Sequence, residues 1–334
     1  MKISEFDYEL PPELIAQEPV EPRDACRLMV LDRTTRSIEH RIFRDIVEYV
    51  EPGDLLVLNV SKVIPARLIA KKETGATVEI LLLERVREGV WKCLVRPGQR
   101  VKDGTRLSVS DLKAVCLGRE EGGIRILEFS TTEDSEILRR GKAPLPPYVK
   151  KEVPLEKYQT VYAKEEGSVA APTAGLHFTP ELLSRLKEKG VEFAEVVLHV
   201  GIGTFRPVKV EEVEKHKMHE EYYRVPEETV EKIEETKKRG RRVIAVGTTV
   251  VRTLETIARL PKRKSYVGRT DLFIYPPFEF KMVDALITNF HLPRSTLLML
   301  VCAFAGKDFV MEAYKEAVRQ KYRFFSFGDA MLIL

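Results

Sequence analysis

Cysteine is scarce in this chain of 334 residues. Cys26, Cys93, Cys116 and Cys302 are scattered in or beside apolar runs. No pair has the spacing of a metal or redox site, which excludes a disulfide scaffold and leaves four small core residues, expected in a reducing compartment. Long hydrophobic runs are missing too. The longest, Leu297 to Ala305, is far short of the ~20 residues that span a bilayer. The opening MKISEFDYEL is acidic and amphipathic, unlike a secretion signal. A soluble protein of the cytoplasm, away from membranes, is therefore expected. Internal repeats and low-complexity tracts are absent. Charge of one sign is not in great excess: the net charge is +4, which permits a nucleic-acid partner and does not demand one.

What is present is an ordinary apolar content (44%) and a high charged fraction (32%), enough for a sizeable core over a length that favours two domains. The chain is organised around AAPTAGLHFTPELLSRLKEKGVEFAEVVLHVGIGTFRPV, positions 170–208. Thr179 or Pro180 starts a helix with Leu182, Leu183 and Leu186 on one face, and Gly190 stops it. Val191 to Val200 reads as a buried strand. Two loops rich in Thr, Gly and His flank this unit, where small-molecule sites tend to lie.

Before it, Leu28 to Asp32 and Leu55 to Asn59 read as strands, with helices expected from Pro12 and over His40 to Tyr49. From about Ala66 the texture changes. Val78–Leu83, Val90–Val95, Thr105–Val109, Lys113–Leu117 and Gly123–Phe129 are short strand candidates punctuated by glycines, the pattern of a small all-β barrel. A helix is expected over Thr132 to Arg140, then a stiff proline-rich connector. After the central unit come a helix over Glu227–Arg239, a strand at Val243–Val246, a helix over Val250–Leu260 capped by Thr248 or Thr249, and a strand at Leu272–Tyr275. Leu286–Asn289 ends in a polar loop, and helices follow over Thr296–Ala305 and Phe309–Gln320. The fold class is α/β: a larger, discontinuous α/β catalytic domain (residues 1–65 and 150–334) with an inserted β-barrel and its connector (66–149).

Five of the six histidines (His177, His199, His216, His219, His291) fall in the second half, mostly in loops beside strand ends. They either share a pocket as acid–base groups or bond backbone and solvent. His216 to Glu220 has HxxHE spacing, not the HExxH that puts two ligands on one helix face, so no metal site is expected. Gly201-Ile202-Gly203-Thr204 either brings backbone N–H groups to an anion or ribose or is a tight turn. Gly247-Thr248-Thr249 with Arg252 is an anion site at a helix start, or ordinary capping. The basic stretches Lys237–Arg242 and Arg259–Arg269 contact phosphates or are solvated helix ends.

Ordered motifs along the chain carry a resemblance: FDYELPPELIAQEP, GDLLVLNVSKVIPARL, GKAPLPPYV, GSVAAPTAGLHFT, LHVGIGTFRPV, HKMHEEYYRV, VIAVGTTVVRTLE, ITNFHLPRSTLLMLVCAFAG and YRFFSFGDAML. By these the chain resembles the S-adenosylmethionine:tRNA ribosyltransferase-isomerases of queuosine biosynthesis. It departs from their pattern at Asn59-Val60 and at Pro276-Pro277-Phe278. The resemblance implies an α/β domain with an inserted barrel. It also implies transfer and isomerisation of the ribosyl part of S-adenosylmethionine onto 7-aminomethyl-7-deazaguanine at the tRNA wobble position. Epoxyqueuosine forms, and adenine and methionine leave. S-adenosylmethionine is then a consumed co-substrate, no cofactor is expected, and the partner of this monomer is tRNA.

That chemistry needs a base for an acidified C5′ proton, an acid for departing adenine and a neutral attacking amine, all suited to tuned His and carboxylate groups. The resemblance makes His177, His199 and His291 the proton-transfer candidates, with Asp271 in support. Thr173, Gly175, Gly201, Gly203, Thr204, Thr248, Thr249, Arg252 and Asn289 are expected to line the donor or base pocket. A non-catalytic RNA-binding protein on the same domains would have these loops eroded, and here they are intact. A methyltransferase lacks its strand–glycine loop–helix signature, and a radical enzyme its three-cysteine cluster.

Overall fold

The computed structural model describes residues 1–201, 203 and 208–334. Four short strands, Glu192–Leu198, Leu55–Asn59, Val243–Val246 and Ala285–Asn289, lie side by side in that order and run parallel. Ala194 pairs with Val57, Val57 with Ala245, and Ala245 with Leu286. Three of the four are buried along their whole length, as near-continuous apolar strands must be when both faces are covered. Alternation divides the side chains between two layers. Leu56, Leu58, Ile244, Val246 and Ile287 pack with Leu182 and Leu186 of the helix Pro180–Glu188. Leu55, Val57, Ala245 and Leu286 pack on the other face against the helices Glu227–Lys238, Thr248–Ile257, Thr296–Ala305 and Lys307–Arg319.

Five further strands complete a nine-stranded sheet. Glu221–Val225 and then Tyr266–Thr270 extend one side. On the other, Ala330–Ile333 pairs antiparallel with Ala285–Asn289, followed by Arg27–Asp32 and the edge strand Ser37–Ile42. Caps fix where the helices begin. Thr179 Oγ1 accepts from Leu182 N–H (3.1 Å) and Ser295 Oγ from Leu298 N–H (3.2 Å), each satisfying an N–H that the helix leaves open.

Between the neighbouring strands Leu55–Asn59 and Glu192–Leu198 the chain builds a separate closed barrel. Its six antiparallel strands are Arg67–Lys72, Thr77–Arg87, Val90–Arg96, Arg106–Val109, Leu112–Arg119 and Ile124–Phe129. Leu68, Ala70, Val78, Ile80, Leu82, Cys93 and Leu127 fill it. Its entry and exit are pinned together, Lys142 N–H donating to Arg67 O (2.8 Å) and Arg67 N–H to Lys142 O (3.2 Å). A short parallel pair, Ser61–Val63 with Glu165–Ser168, lies in the two connecting segments. The architecture is thus α/β with an inserted barrel. Among the described residues no helix is long and apolar enough to cross a membrane.

Local expectations fail in identifiable places. The helix expected from Pro12 is a single 3₁₀ turn, Pro12–Leu14. His40 lies in a strand, and only Phe43–Glu48 is helical, as 3₁₀. Leu272–Tyr275 is not a strand; the strand is Tyr266–Thr270. The cap expected at Thr248 or Thr249 is instead Gly247, whose φ of 97° is open to glycine at little cost.

Candidate active site

Each of the four parallel strands ends in a polar turn, and the four turns share one edge of the sheet. The segments concerned are His199-Val200-Gly201, Val60-Ser61, Gly247-Thr248-Thr249 and Phe290-His291. In an open parallel sheet, ligands bind outside these carboxyl ends. Asn59, singled out by sequence only as part of a motif, ties the edge together. Its Oδ1 accepts from Leu198 N–H and Ser61 N–H (both 3.1 Å). Its Nδ2 donates to Leu198 O (3.0 Å) and Thr249 Oγ1 (3.2 Å). Two neighbouring strands and the start of the helix Thr248–Ile257 are thereby held in register by one buried amide.

Two cavities open on this edge, and Val200 lines both. The first is a narrow pocket of ≈ 60 Å³ lined by Thr173, Thr248, Thr249, Asn289 and His291, with Tyr148 and Phe325 beside them. No Asp, Glu, Lys or Arg is among its described lining residues. His291 is neutral here: burial pushes its imidazole down to about 3, and Nε2 shares a hydrogen bond with Thr288 Oγ1 (2.8 Å). Asn289 Nδ2 donates to Phe325 O (2.9 Å) and to His177 Nε2 (3.2 Å), and its Oδ1 is buried without a partner among the described residues.

The second cavity is a cleft of ≈ 670 Å³ between barrel and sheet. Leu83, Glu84, Arg85 and Trp91 line it from the barrel, and His199, Gly201, Gly203, His219, Glu221 and Arg269 from the sheet domain. His199 stacks on Tyr222 with ring centroids 5.3 Å apart. Its Nδ1 meets Ser61 Oγ at 2.9 Å; Ser61 Oγ contacts Ser168 Oγ, which accepts from Val200 N–H (3.0 Å). With Ser168 donating to Ser61 and Ser61 to Nδ1, both serine hydrogens are used, and Nε2–H is left for a ligand. Reversing the hydroxyl pair offers Nε2 as an acceptor and strands one serine hydrogen. Burial lowers the His199 pKa, so the ring is neutral near pH 7, and in its Nδ1–H tautomer Nε2 can take a proton. Gly167, at φ 145°, makes room for it: a Cβ there would sit 2.7 Å from His199 Cε1 and Nε2.

The glycine loop is held from below. Gly201 N–H donates to Glu221 Oε1 (2.8 Å), and Glu221 Oε2 is paired with Arg252 Nη1. Both side chains are buried, at 7% and 5% exposure. Nothing in the local sequence marks Glu221, which stands in a charged run, and the spacing to Arg252 has no helical or strand period. Ser61 and Ser168 stood in the sequence only as members of longer motifs, with no role of their own.

The expected site residues thus separate into groups. Thr173, Thr248, Thr249, Asn289 and His291 line the narrow pocket, and His199, Gly201 and Gly203 line the cleft. His177, expected as a proton-transfer group, lies behind the pocket wall: it is buried against Phe43 with both ring nitrogens engaged, by Cys26 Sγ (3.2 Å) and Asn289 Nδ2. Burial depresses its pKa to about 4. Gly175 packs against Tyr162 within the same wall. Arg252 is occupied by Glu221 and Leu272 O rather than lining either cavity. Asp271 is exposed and lines neither cavity among the described residues. Thr204 lies outside the described residues. Val60 is buried between Asn59 and Ser61 at the site's edge, and neither it nor Pro277-Phe278 lines either cavity.

Of the basic stretches, Lys237, Arg239, Arg241 and Arg242 pair with Asp284, Glu192 and Asp54 at the opposite, amino-terminal edge of the parallel strands. They are therefore structural ion pairs far from the pocket. Only Arg269, bonded to Glu84 of the barrel and to Glu220, reaches the cleft. Among the described residues no three His, Cys, Asp or Glu side chains gather as metal ligands.

Residues 3–333 match the family model described as queuosine biosynthesis protein. The chain is 78% identical over 335 residues to the S-adenosylmethionine:tRNA ribosyltransferase-isomerase of Thermotoga maritima, and 67% identical over 335 residues to that of Thermosipho africanus, with all of both chains covered in each case. A crystal structure of S-adenosylmethionine tRNA ribosyltransferase from Thermotoga maritima matches with a TM-score of 0.61 at 65% identity, covering 99% of this chain and 100% of that one.

Proposed function

The chain belongs to the queuosine biosynthesis protein family, and from that premise we propose that it is an S-adenosylmethionine:tRNA ribosyltransferase-isomerase. It moves the ribosyl unit of S-adenosylmethionine onto 7-aminomethyl-7-deazaguanine at the tRNA wobble position and rearranges it to epoxyqueuosine. Adenine and methionine leave, so S-adenosylmethionine is consumed as a co-substrate and no resident cofactor takes part.

The observation that carries this reading is the pair of adjoining cavities at the carboxyl edge. One is narrow, uncharged and rich in hydroxyls; the other is wide, charged and walled by two domains. A reaction that joins a small sulfonium donor to a base flipped from RNA needs two such compartments meeting at the reacting atoms. Flipping costs a few kcal/mol and is repaid by stacking and edge hydrogen bonds; Trp91 and the Tyr222–His199 stack offer flat surfaces in the cleft. One chain builds both cavities, in keeping with a monomer.

His199 suits the base that removes the C5′ proton next to the sulfonium, because it is neutral, half-buried and backed by two serines that accommodate either tautomer. His291 remains uncharged in the narrow pocket and acts by hydrogen bonding. The uncharged lining disfavours an ammonium, so a substrate amine held nearby stays a free base and a competent nucleophile.

The test is incubation of purified protein with S-adenosylmethionine and tRNA carrying the aminomethyl-deazaguanine, followed by nucleoside mass spectrometry. A nucleoside heavier by the rearranged ribosyl unit, with adenine and methionine released together, is expected. Gain of only a methyl group would contradict the transfer, and an unchanged nucleoside on bound tRNA would point to a binding protein.

A further inference from the structure

Asn289 ends the strand Ala285–Asn289 and is 2% exposed. Its amide cannot turn over. Nδ2 faces the Phe325 carbonyl, which only a donor can meet, and the same nitrogen faces His177 Nε2. That second contact requires Nε2 to be the unprotonated nitrogen, so the His177 proton is on Nδ1 and points to Cys26 Sγ at 3.2 Å. Three buried groups in series therefore fix which end of the amide is Oδ1. Oδ1 has no partner among the described residues, and Asn289 lines the narrow pocket. Leaving an acceptor buried and unsatisfied costs about 1–3 kcal/mol, a penalty removed when a ligand supplies a hydrogen.

The surroundings define that ligand. Oδ1 only accepts, whereas the hydroxyls of Thr173, Thr248 and Thr249 both donate and accept. Tyr148 and Phe325 give the pocket aromatic walls, no charged side chain is among its described lining, and the space is ≈ 60 Å³. This is a slot for the edge of a flat, uncharged ring that carries an amino group beside ring acceptors.

We propose that Asn289 Oδ1 recognises the exocyclic amine of a purine-type ring, and that His177 and Cys26 are positioning residues that hold this acceptor in place. The assignment rests on the function proposed above, in which two such amines are at hand: that of the adenine in S-adenosylmethionine and that of the deazaguanine in the RNA.

Calorimetric binding to the full-length protein separates these sources. One arm compares S-adenosylmethionine with its 6-deamino analogue. The other compares an anticodon stem-loop carrying 7-aminomethyl-7-deazaguanine with the same RNA lacking the 2-amine. In the wild-type protein one pair should differ by roughly 5- to 150-fold, the cost of stranding the acceptor. In Asn289→Ala the same pair should differ by less than about 2-fold, because no acceptor is left to satisfy. His177→Ala should shrink the ratio, and His177→Gln, whose side-chain oxygen can still accept from Nδ2, should restore part of it. A purely structural histidine would alter stability without moving the ratio. Analogues that bind the wild-type protein as tightly as their parents in both arms overturn the proposal, and this result needs no variant to fold. If neither parent ligand binds, the proposed function falls instead. Free adenine against purine then decides the role of Asn289: preference for adenine, lost in Asn289→Ala, supports it, and equal binding overturns it.

Discussion

Replacing Glu221 with alanine removes the carboxylate bonded to the buried guanidinium of Arg252. Arg252 is 5% exposed, its Nη1 is bonded to Glu221, its Nε donates to Leu272 O, and its Nη2 already has no partner among the described residues. Removing one partner of a buried ion pair costs about 3–5 kcal/mol, because the other charge is left uncompensated. With an unfolding entropy of about 2.1 cal/mol/K per residue, a chain of 334 residues loses roughly 1.4 °C in Tm per kcal/mol. Glu221→Ala should therefore melt about 4–7 °C lower by scanning calorimetry. The double variant Glu221→Leu, Arg252→Met removes both charges and should regain most of that loss. Its turnover should nonetheless stay low, because Gly201 N–H has lost its acceptor and the loop beside His199 its anchor. A Glu221→Ala protein that melts within about 1 °C of wild type would refute the reasoning, for the pair would then be neither desolvated nor needed.

Gly167→Ala would drive a methyl group into the His199 ring and should lower turnover about 100-fold, the scale of a 1 Å misplacement, with circular dichroism unchanged; full activity would mean that the ring position is immaterial. Thermal stability should fall as pH drops from about 6.5 toward 4. In that window the unfolded chain binds protons that buried His177 (about 4) and His291 (about 3) refuse, so the unfolded state gains as acid is added. Melting curves across this range should flatten in a His177→Gln, His291→Gln variant, and an unchanged slope would acquit both residues. Affinity for tRNA should decline linearly in log–log form with salt, and a flat response in filter binding would argue against RNA as substrate.

The parallel strands were legible because they are short, apolar and followed at once by Thr, Gly, Asn or His; that juxtaposition marked Gly247–Thr249 and His199–Gly201. Five of the six barrel strands were visible through glycine punctuation. The first, Arg67–Lys72, was not, because Arg67, Lys71 and Lys72 mask the inward pair Leu68 and Ala70. Side-chain direction was the harder matter. His177 and His199 both stand in glycine-bearing loops, yet one turns into the wall against Cys26 and Phe43 and the other into the cleft. Which way each points depends on contacts more than a hundred positions away. The Glu221–Arg252 pair was hidden for a similar reason: its members belong to a strand and a helix whose packing no local period announces. The run at Lys237–Arg242 left phosphate contact and a solvated helix end both open, and its clustered charge is dispersed among Asp54, Glu192 and Asp284 in space.

The pinned entrance and exit of the barrel bear on how the chain is assembled during synthesis. Leu55–Asn59 must wait for Glu192–Leu198, its neighbour in the sheet, and closing so long a stretch of flexible polymer is entropically unfavourable. The six barrel strands pair largely with near neighbours in sequence and emerge together. Once they close and Arg67 meets Lys142, the stretch between the two waiting strands is reduced to seven residues before the folded body, 60–66, and forty-nine after it, 143–191. Such a body emerging from a ribosome in amino-to-carboxyl order acts as a splint, bringing a lone apolar strand toward the place where its partner will arrive. The wide cleft lies where this splint meets the sheet.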